Sequence, residues 1–219
     1  MSAKSRVSRM KRLTKINVFQ FIKYNFFCRK VKRDRGCYLI PYRGAVIELQ
    51  KGSMLELHAN LAVNAEKMRG SKAEAYLLLR EGARLTVDGD VRLTYHSVIE
   101  VHKYARMSLG RCYINIGAVL IAGHEMRIGD GVLISRNVYI YDSDHHRLYD
   151  SNGKQTNPPC ALSVGSHVWI GIKATLLRGT KVGDGAVIAA GSVVMGKVKG
   201  GTMAMGYPAR SYSEVKWEE

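Results

Sequence analysis

None of the four cysteines, Cys28, Cys37, Cys112 and Cys160, stands in a CxxC pair or at a metal-ligand spacing. That argues against a disulfide framework or a zinc ribbon and reads as a reduced intracellular protein. No apolar stretch reaches the roughly 20 residues that a bilayer crossing needs. The richest one, Ile16 to Phe27, is interrupted by Lys23 and no small-residue cleavage site follows it. Neither a membrane span nor a signal peptide is expected there. Acids are almost missing from residues 1–43, where Asp34 alone faces 13 Lys and Arg. This stretch carries +12 of the formal net charge of +16, leaving only +4 for the rest of the chain. A basic arm on a nearly neutral body is a different object from a uniformly basic protein.

The expected organisation of the 219 residues is one domain with appendages. Residues 1–43 form a basic, amphipathic helical arm, 44–206 the body and 207–219 a short tail. Basic residues flanking aromatics suit a helix lying on an anionic membrane surface. They suit equally a helix packed on the body with its cations solvated. No nucleic-acid-binding motif accompanies the charge, so no nucleic acid is expected as a partner.

What is present is a period of six. Val164, Ile170, Leu176, Val182, Ile188 and Val194 recur without a miss, and Gly165, Gly171 and Gly183 directly follow three of them. Two residues before the aliphatics stand Val168, Ala174, Thr180, Ala186 and Ser192, mostly small. An earlier run reads Ile116, Ala122, Ile128, Ile134 and Ile140, with Gly117, Gly123 and Gly129 next in line, and a fainter trace runs through Val87, Leu93 and Ile99. Six is not a multiple of the helical 3.6, so a helix would scatter these residues around its surface. An extended chain that turns a corner every six residues instead points each of them inward on successive flat faces. Three faces make one coil of a prism, and stacked coils bury a continuous aliphatic column. Glycine near each corner is expected to supply conformations that other residues adopt only at a cost.

Between Ile140 and Val164 the period breaks. The polar segment 141–163, with Gly153 and the Pro158-Pro159 pair, reads as a loop leaving the prism. A loop on a rigid scaffold is a favourable place for function. It holds His145 and His146 beside Asp142 and Asp144. A histidine near its ordinary pKa of about 6.5 can accept a hydroxyl proton at neutral pH and later return it to a leaving group.

These units resemble the hexapeptide-repeat family, which implies an all-β, left-handed parallel β-helix. The match is close over 116–140 and 164–194 and loose over 44–115. Asp142-Ser143-Asp144-His145-His146, with Val168-Trp169-Ile170-Gly171 further on, resembles the acetyltransferase branch acting on sugars and antibiotics. Its nearest likeness is to the surface-polysaccharide O-acetyltransferases. The resemblance implies acetyl transfer from acetyl-CoA to a hydroxyl of a bacterial surface glycan or its precursor, with no metal. It places the general base on His146, with His145 a substrate contact or bystander, and Asp144 orienting a histidine or touching the acceptor. It makes Gly171, Ile172 and Ala190 backbone contacts of the pantetheine arm and Trp169 a wall of the adjoining acceptor pocket. Arg210 would meet a CoA phosphate or be a solvated tail charge. Ala189 to Val194, Gly206-Tyr207-Pro208-Ala209-Arg210 and Val215-Lys216-Trp217 resemble the family's closing segments. The resemblance further implies a homotrimer with sites between subunits, in the cytoplasm, with the arm as a contact to the inner membrane.

Three other readings compete. A γ-type carbonic anhydrase shares the prism but holds zinc through three histidines, for which His96, His102 and His124 are the candidates. Transfer to the amine of an amino sugar would use the same histidine. A non-catalytic β-helix binding a glycan would use none of this chemistry.

Overall fold

The computed structural model describes residues 15–218; residues 1–14 of the expected arm and Glu219 of the tail lie outside them. The described residues form 24 strands, numbered in chain order from β1 (Val31–Arg33) to β24 (Ala209–Glu214). Successive strands go to successive faces of a three-sided prism. β1, β2 (Leu39–Pro41) and β3 (Ala45–Leu49) open the first, second and third faces, and up to β23 every third strand adds to the same face. All neighbours along a face are parallel except the last pair, β23 (Thr202–Gly206) with β24, an antiparallel hairpin.

The six-residue period is the outline of the upper coils. Thr175 pairs with Val193, a separation of three sixes, one for each face. Lower down the coils are longer: Val119 pairs with Tyr139 and Tyr76 with Val98, separations that exceed three sixes by two and by four. Longer faces explain why the repeat fades toward the N-terminus. Val164, Ile170, Leu176, Val182, Ile188 and Val194 all lie in the buried column, and Val168, Ala174, Thr180, Ala186 and Ser192 are buried at its corners. Ile116 does not belong to that column. It stands in a turn, half-buried, and Ile114 and Leu120 fill the core in its place.

The glycines work differently from the expectation. Gly129, Gly165, Gly171 and Gly183 do not have left-handed backbone. A Cβ on Gly171 would lie 2.7 Å from the Ala190 nitrogen, and one on Gly165 would lie 2.8 Å from the Asp184 nitrogen. Coils stacked at sheet spacing bring one corner's backbone onto the next, and only hydrogen fits between them. Of the glycines marked in the two runs, Gly117 alone takes the left-handed conformation, at φ +75°.

The boundary expected at residue 43 falls inside the first coil, because β1 and β2 already pair with β4 (Met54–Leu57) and β5 (Leu61–Ala65). The helical part of the arm is short: α1 (Val18–Ile22), capped by the Asn17 side chain, runs into one π-helical turn, Lys23–Phe27. It packs on the open end of the prism. Tyr24 is buried and its hydroxyl donates to the Ile47 carbonyl. The Asn25 amide donates to the Phe21 and Leu39 carbonyls while its oxygen accepts the Leu39 N–H. The tail folds back as β24 rather than extending away.

Candidate active site

The loop leaves the edge between the third and first faces, after β15 (Tyr139–Tyr141) and before β16 (Leu162–Val164). Asp142 anchors its base. Fully buried, its two carboxylate oxygens accept the backbone N–H groups of Gly123 (2.5 Å) and His124 (3.0 Å) from the coil below. Burial pushes its carboxyl above the ordinary range, against the pull of those N–H groups. Asp144 is tied from two sides: one carboxylate oxygen accepts Asn157 Nδ2 (2.9 Å) and Arg178 Nε (2.8 Å). These two donors hold its pKa below the usual value, the Asn157 bond foremost. Asn157, itself buried, also donates to the His146 carbonyl and accepts the Leu148 N–H. One amide thus closes the loop across 144–157, and Arg178 fastens it to the next coil.

His145 and His146 then part company. His145 adopts left-handed backbone, φ +58°, with its N–H on the Ser143 hydroxyl. Its ring lies 4.6 Å from that of His102 and edge-on to Tyr141. Burial lowers the His102 pKa, opposed by the Glu100 carboxylate. Glu100 in turn is gripped by Arg80 at 2.7 Å. His146 is exposed, its N–H on the Asp144 carbonyl. Asp144 therefore turns its carboxylate toward Asn157 and Arg178 and serves the loop's shape.

The cofactor candidates occupy a different edge. Trp169 stands on the outer side of β17 (Trp169–Ile170), on the second face, with its indole N–H on the Ser135 hydroxyl. Gly171 and Ile172 follow at the edge between the second and third faces. Ala190 lies directly above them, where the Gly191 N–H meets the Ile172 carbonyl. One coil higher, the Gly206 N–H meets the Ser192 hydroxyl, and Arg210 begins the return strand, exposed. Gly171, Ile172, Ala190 and Arg210 therefore succeed one another up one edge, where Ile172, Ala190 and Arg210 are exposed and Gly171 is buried. The third face separates this edge from His146, so one chain does not bring the two groups together.

Sequence reasoning missed Asn157, Arg178 and His102 in the site, since none sits in a recognisable motif. It also missed an aromatic cluster: Trp217 of the tail stacks on His167 (4.1 Å, 3°) and reaches Trp169 at 6.3 Å. As for the zinc reading, His102 and His124 follow β9 (Val98–Val101) and β12 (Val119–Ala122), on the loop edge, whereas His96 precedes β9 on the other edge. The spacing of six between His96 and His102 spans one face and does not gather ligands. Among the described residues no cluster of three metal-ligating side chains is found.

Residues 162–196 match the model of the bacterial transferase hexapeptide (six repeats). The galactoside O-acetyltransferase of Escherichia coli (strain K12) is 28% identical over 167 residues, 75% of this chain and 77% of that protein. Nodulation protein L of Rhizobium meliloti (strain 1021) is 38% identical over 146 residues, 64% of this chain and 76% of that protein. Among solved structures, the polySia specific acetyltransferase NeuO superposes with a TM-score of 0.53 at 20% identity, over 88% of this chain and 90% of that one. The prism is the left-handed parallel β-helix, and the chain belongs to the hexapeptide-repeat family, as an acyltransferase.

Proposed function

We propose that the protein transfers an acetyl group from acetyl-CoA to a hydroxyl of a sugar, in a surface polysaccharide or its precursor. The observation that carries this reading is the exposed His146 on a loop fixed at Asp142, Asp144 and Asn157, on a scaffold whose other edge exposes Ile172 and Ala190. His146 takes the acceptor hydroxyl proton as the oxygen attacks the thioester carbonyl. The carbon–sulfur bond breaks, and the proton passes to the departing thiolate, so no acetyl-enzyme forms. Trp169 walls the acceptor side, and Gly171, Ile172 and Ala190 line the carrier. The test is thiol release from acetyl-CoA with a panel of neutral sugars, amino sugars and glycan extracts. Release with hydroxyl-only acceptors supports the reading; release confined to amino sugars moves the reaction to nitrogen.

The working unit is a homotrimer. The outer side of the first face is charged, with Arg84, Arg106, Arg127, Lys181 and Lys197. The outer side of the third face instead presents Tyr76, Leu78, Val98, Val119, Ile121 and Tyr139 around Glu48 and Glu100, both within reach of Arg80. A sheet face this rich in apolar side chains, its two acids matched by Arg80, favours burial against another subunit. Three prisms packed with third faces toward a common axis would set the loop edge of each against the Gly171 edge of the next, which completes the site. Light scattering is expected to give three times the chain mass, falling to one for Ile121→Glu; a monomeric wild type overturns the assembly.

The arm holds the enzyme at the cytoplasmic face of an anionic membrane. No helix of the described residues is long and apolar enough to cross one. Yet Phe19 and Phe27 are each 77% exposed, beside Val18, Ile22 and Phe26 and the cations Lys15, Lys23 and Arg29. Aromatic side chains set among cations suit the headgroup boundary, where each basic residue contributes about 1 kcal/mol. Vesicles containing phosphatidylserine are expected to retain the wild type at low salt and to release Phe19→Asp/Phe27→Asp. Equal retention of both, or equal binding to neutral vesicles, would sink the idea.

A further inference from the structure

A large cavity lies outside the candidate site, on the outer side of the second face. It has a volume of about 1240 Å³. Its floor crosses β2, β5, β8 (Val91–Thr94), β11 (Cys112–Ile114) and β14 (Val132–Ile134), five strands in spatial succession. At ~4.8 Å between neighbouring strands, the floor is about 19 Å long. One wall is the 66–74 excursion, which the sequence reading did not single out and which lengthens the coil that runs from Ala45 to its neighbour Ala75. Two non-glycine residues at its root take left-handed backbone, Asn64 (φ +64°) and Glu66 (φ +58°). Such conformations cost about 1–3 kcal/mol and persist where the surroundings impose them.

The groove is cationic. Lys15, Arg43, Lys67, Arg69, Arg92 and Arg111 line it, against Glu66 and Asp90. Glu66 is already matched, by Arg92 at 2.9 Å and by the Tyr113 hydroxyl at 2.6 Å. Asp90 accepts from the Asn60 backbone and side chain. Glu66 is therefore committed to Arg92, and Asp90 is the one remaining acid of the lining against Lys15, Arg43, Lys67 and Arg69. Asn64 is fully buried against the groove, and its side-chain oxygen has no hydrogen-bond partner while its amide donates to the Arg43 carbonyl. Tyr42 and Tyr113 add ring surface among the cations. The upper end is β14, whose Leu133 pairs with Trp169. The groove thus runs along the prism to the wall of the candidate acceptor pocket.

We propose that this groove binds an extended acidic saccharide, several sugar units long, with its carboxylates on Lys67, Arg69 and Arg43 and its sugar rings against Tyr42 and Tyr113. A single sugar is too short for a floor of this length, and a neutral chain leaves Lys67 and Arg69 without counter-charges. The proposal rests on the acetyl-transfer reading and adds the class of acceptor: a polyanionic glycan fed lengthwise toward Trp169.

The experiment measures binding, not turnover, by calorimetric titration. The probes are an oligogalacturonide, a malto-oligosaccharide of equal length and inorganic pyrophosphate. The oligogalacturonide is expected to bind the wild type and His146→Ala alike, more weakly at high salt. Its affinity should fall at least about tenfold in Lys67→Glu/Arg69→Glu. Lys181→Glu/Lys197→Glu, which changes net charge equally on the first face, should bind as wild type does. Equal binding of the neutral oligomer, full competition by pyrophosphate, or equal weakening in both double variants would each overturn the proposal. Intact binding with no acetyl transfer would count against the catalytic reading alone.

Discussion

His146→Ala is expected to lower acceptor-dependent thiol release by about 10²–10⁴-fold, the usual loss when a general base is removed. His145→Ala is expected to keep most of it. Both rings are exposed on the same loop, one residue apart, so the two variants decide between them. His145 is exposed but already has ring neighbours, His102 and Tyr141, and a left-handed backbone whose N–H bonds the Ser143 hydroxyl. His146 projects to solvent from a backbone held on both sides, by the Asp144 carbonyl and by Asn157. A base must reach a proton on a bulky acceptor, and the family resemblance assigns that role to the second ring. Loss confined to His145→Ala would transfer the role to the His145–His102 pair, with Glu100 behind it.

Asp142→Ala is expected to carry the largest stability cost of any substitution in the loop, about 2–4 kcal/mol, a drop of roughly 5–15 °C in Tm. The residue is fully buried, and removing it leaves the Gly123 and His124 N–H groups without acceptors. Asp142→Asn should fall between the two. It keeps one acceptor oxygen and removes a charge that burial disfavours, the same imbalance that raises the carboxyl's pKa. Thermal unfolding of the three proteins at neutral pH gives the order directly. A Tm for Asp142→Ala indistinguishable from wild type would show that the loop base does not depend on this carboxylate. Because Asp142 ties the loop to the coil beneath, the variant should also lose activity in proportion to loop disorder, with some recovery in the Asn form.

The prism was legible in the residues themselves. An unbroken six-residue spacing from Val164 to Val194 has few structural solutions, because only a chain turning equal corners keeps those side chains on one inner surface. The histidine loop was legible for the same reason: a polar break in a strict period must leave the scaffold. Where the coils outgrow three sixes, the period dissolves, and the reading of Ile116 as a core position fails with it. The sequence also marked the corner glycines, though for the wrong cause. Their need is set by the backbone of the next coil, which for Gly171 is the stretch from Ile188 to Ala190.

Everything that depends on what lies above, below or beside a coil was decided by the tertiary structure. Asn157 and Arg178 reach Asp144 from 13 and 34 residues away, and no local pattern announces either contact. Trp217 returns 50 residues to stack on His167. Most of all, no local pattern relates His146 to Gly171. The family resemblance assigns them to sites between subunits, and folding sets them on two edges of one chain with the third face between them. Sequence spacing dictates which side chains point inward, because inward burial is a local consequence of each corner. Which outward side chains meet is a matter of stacking and of which face is buried, and these are properties only of the assembled coils.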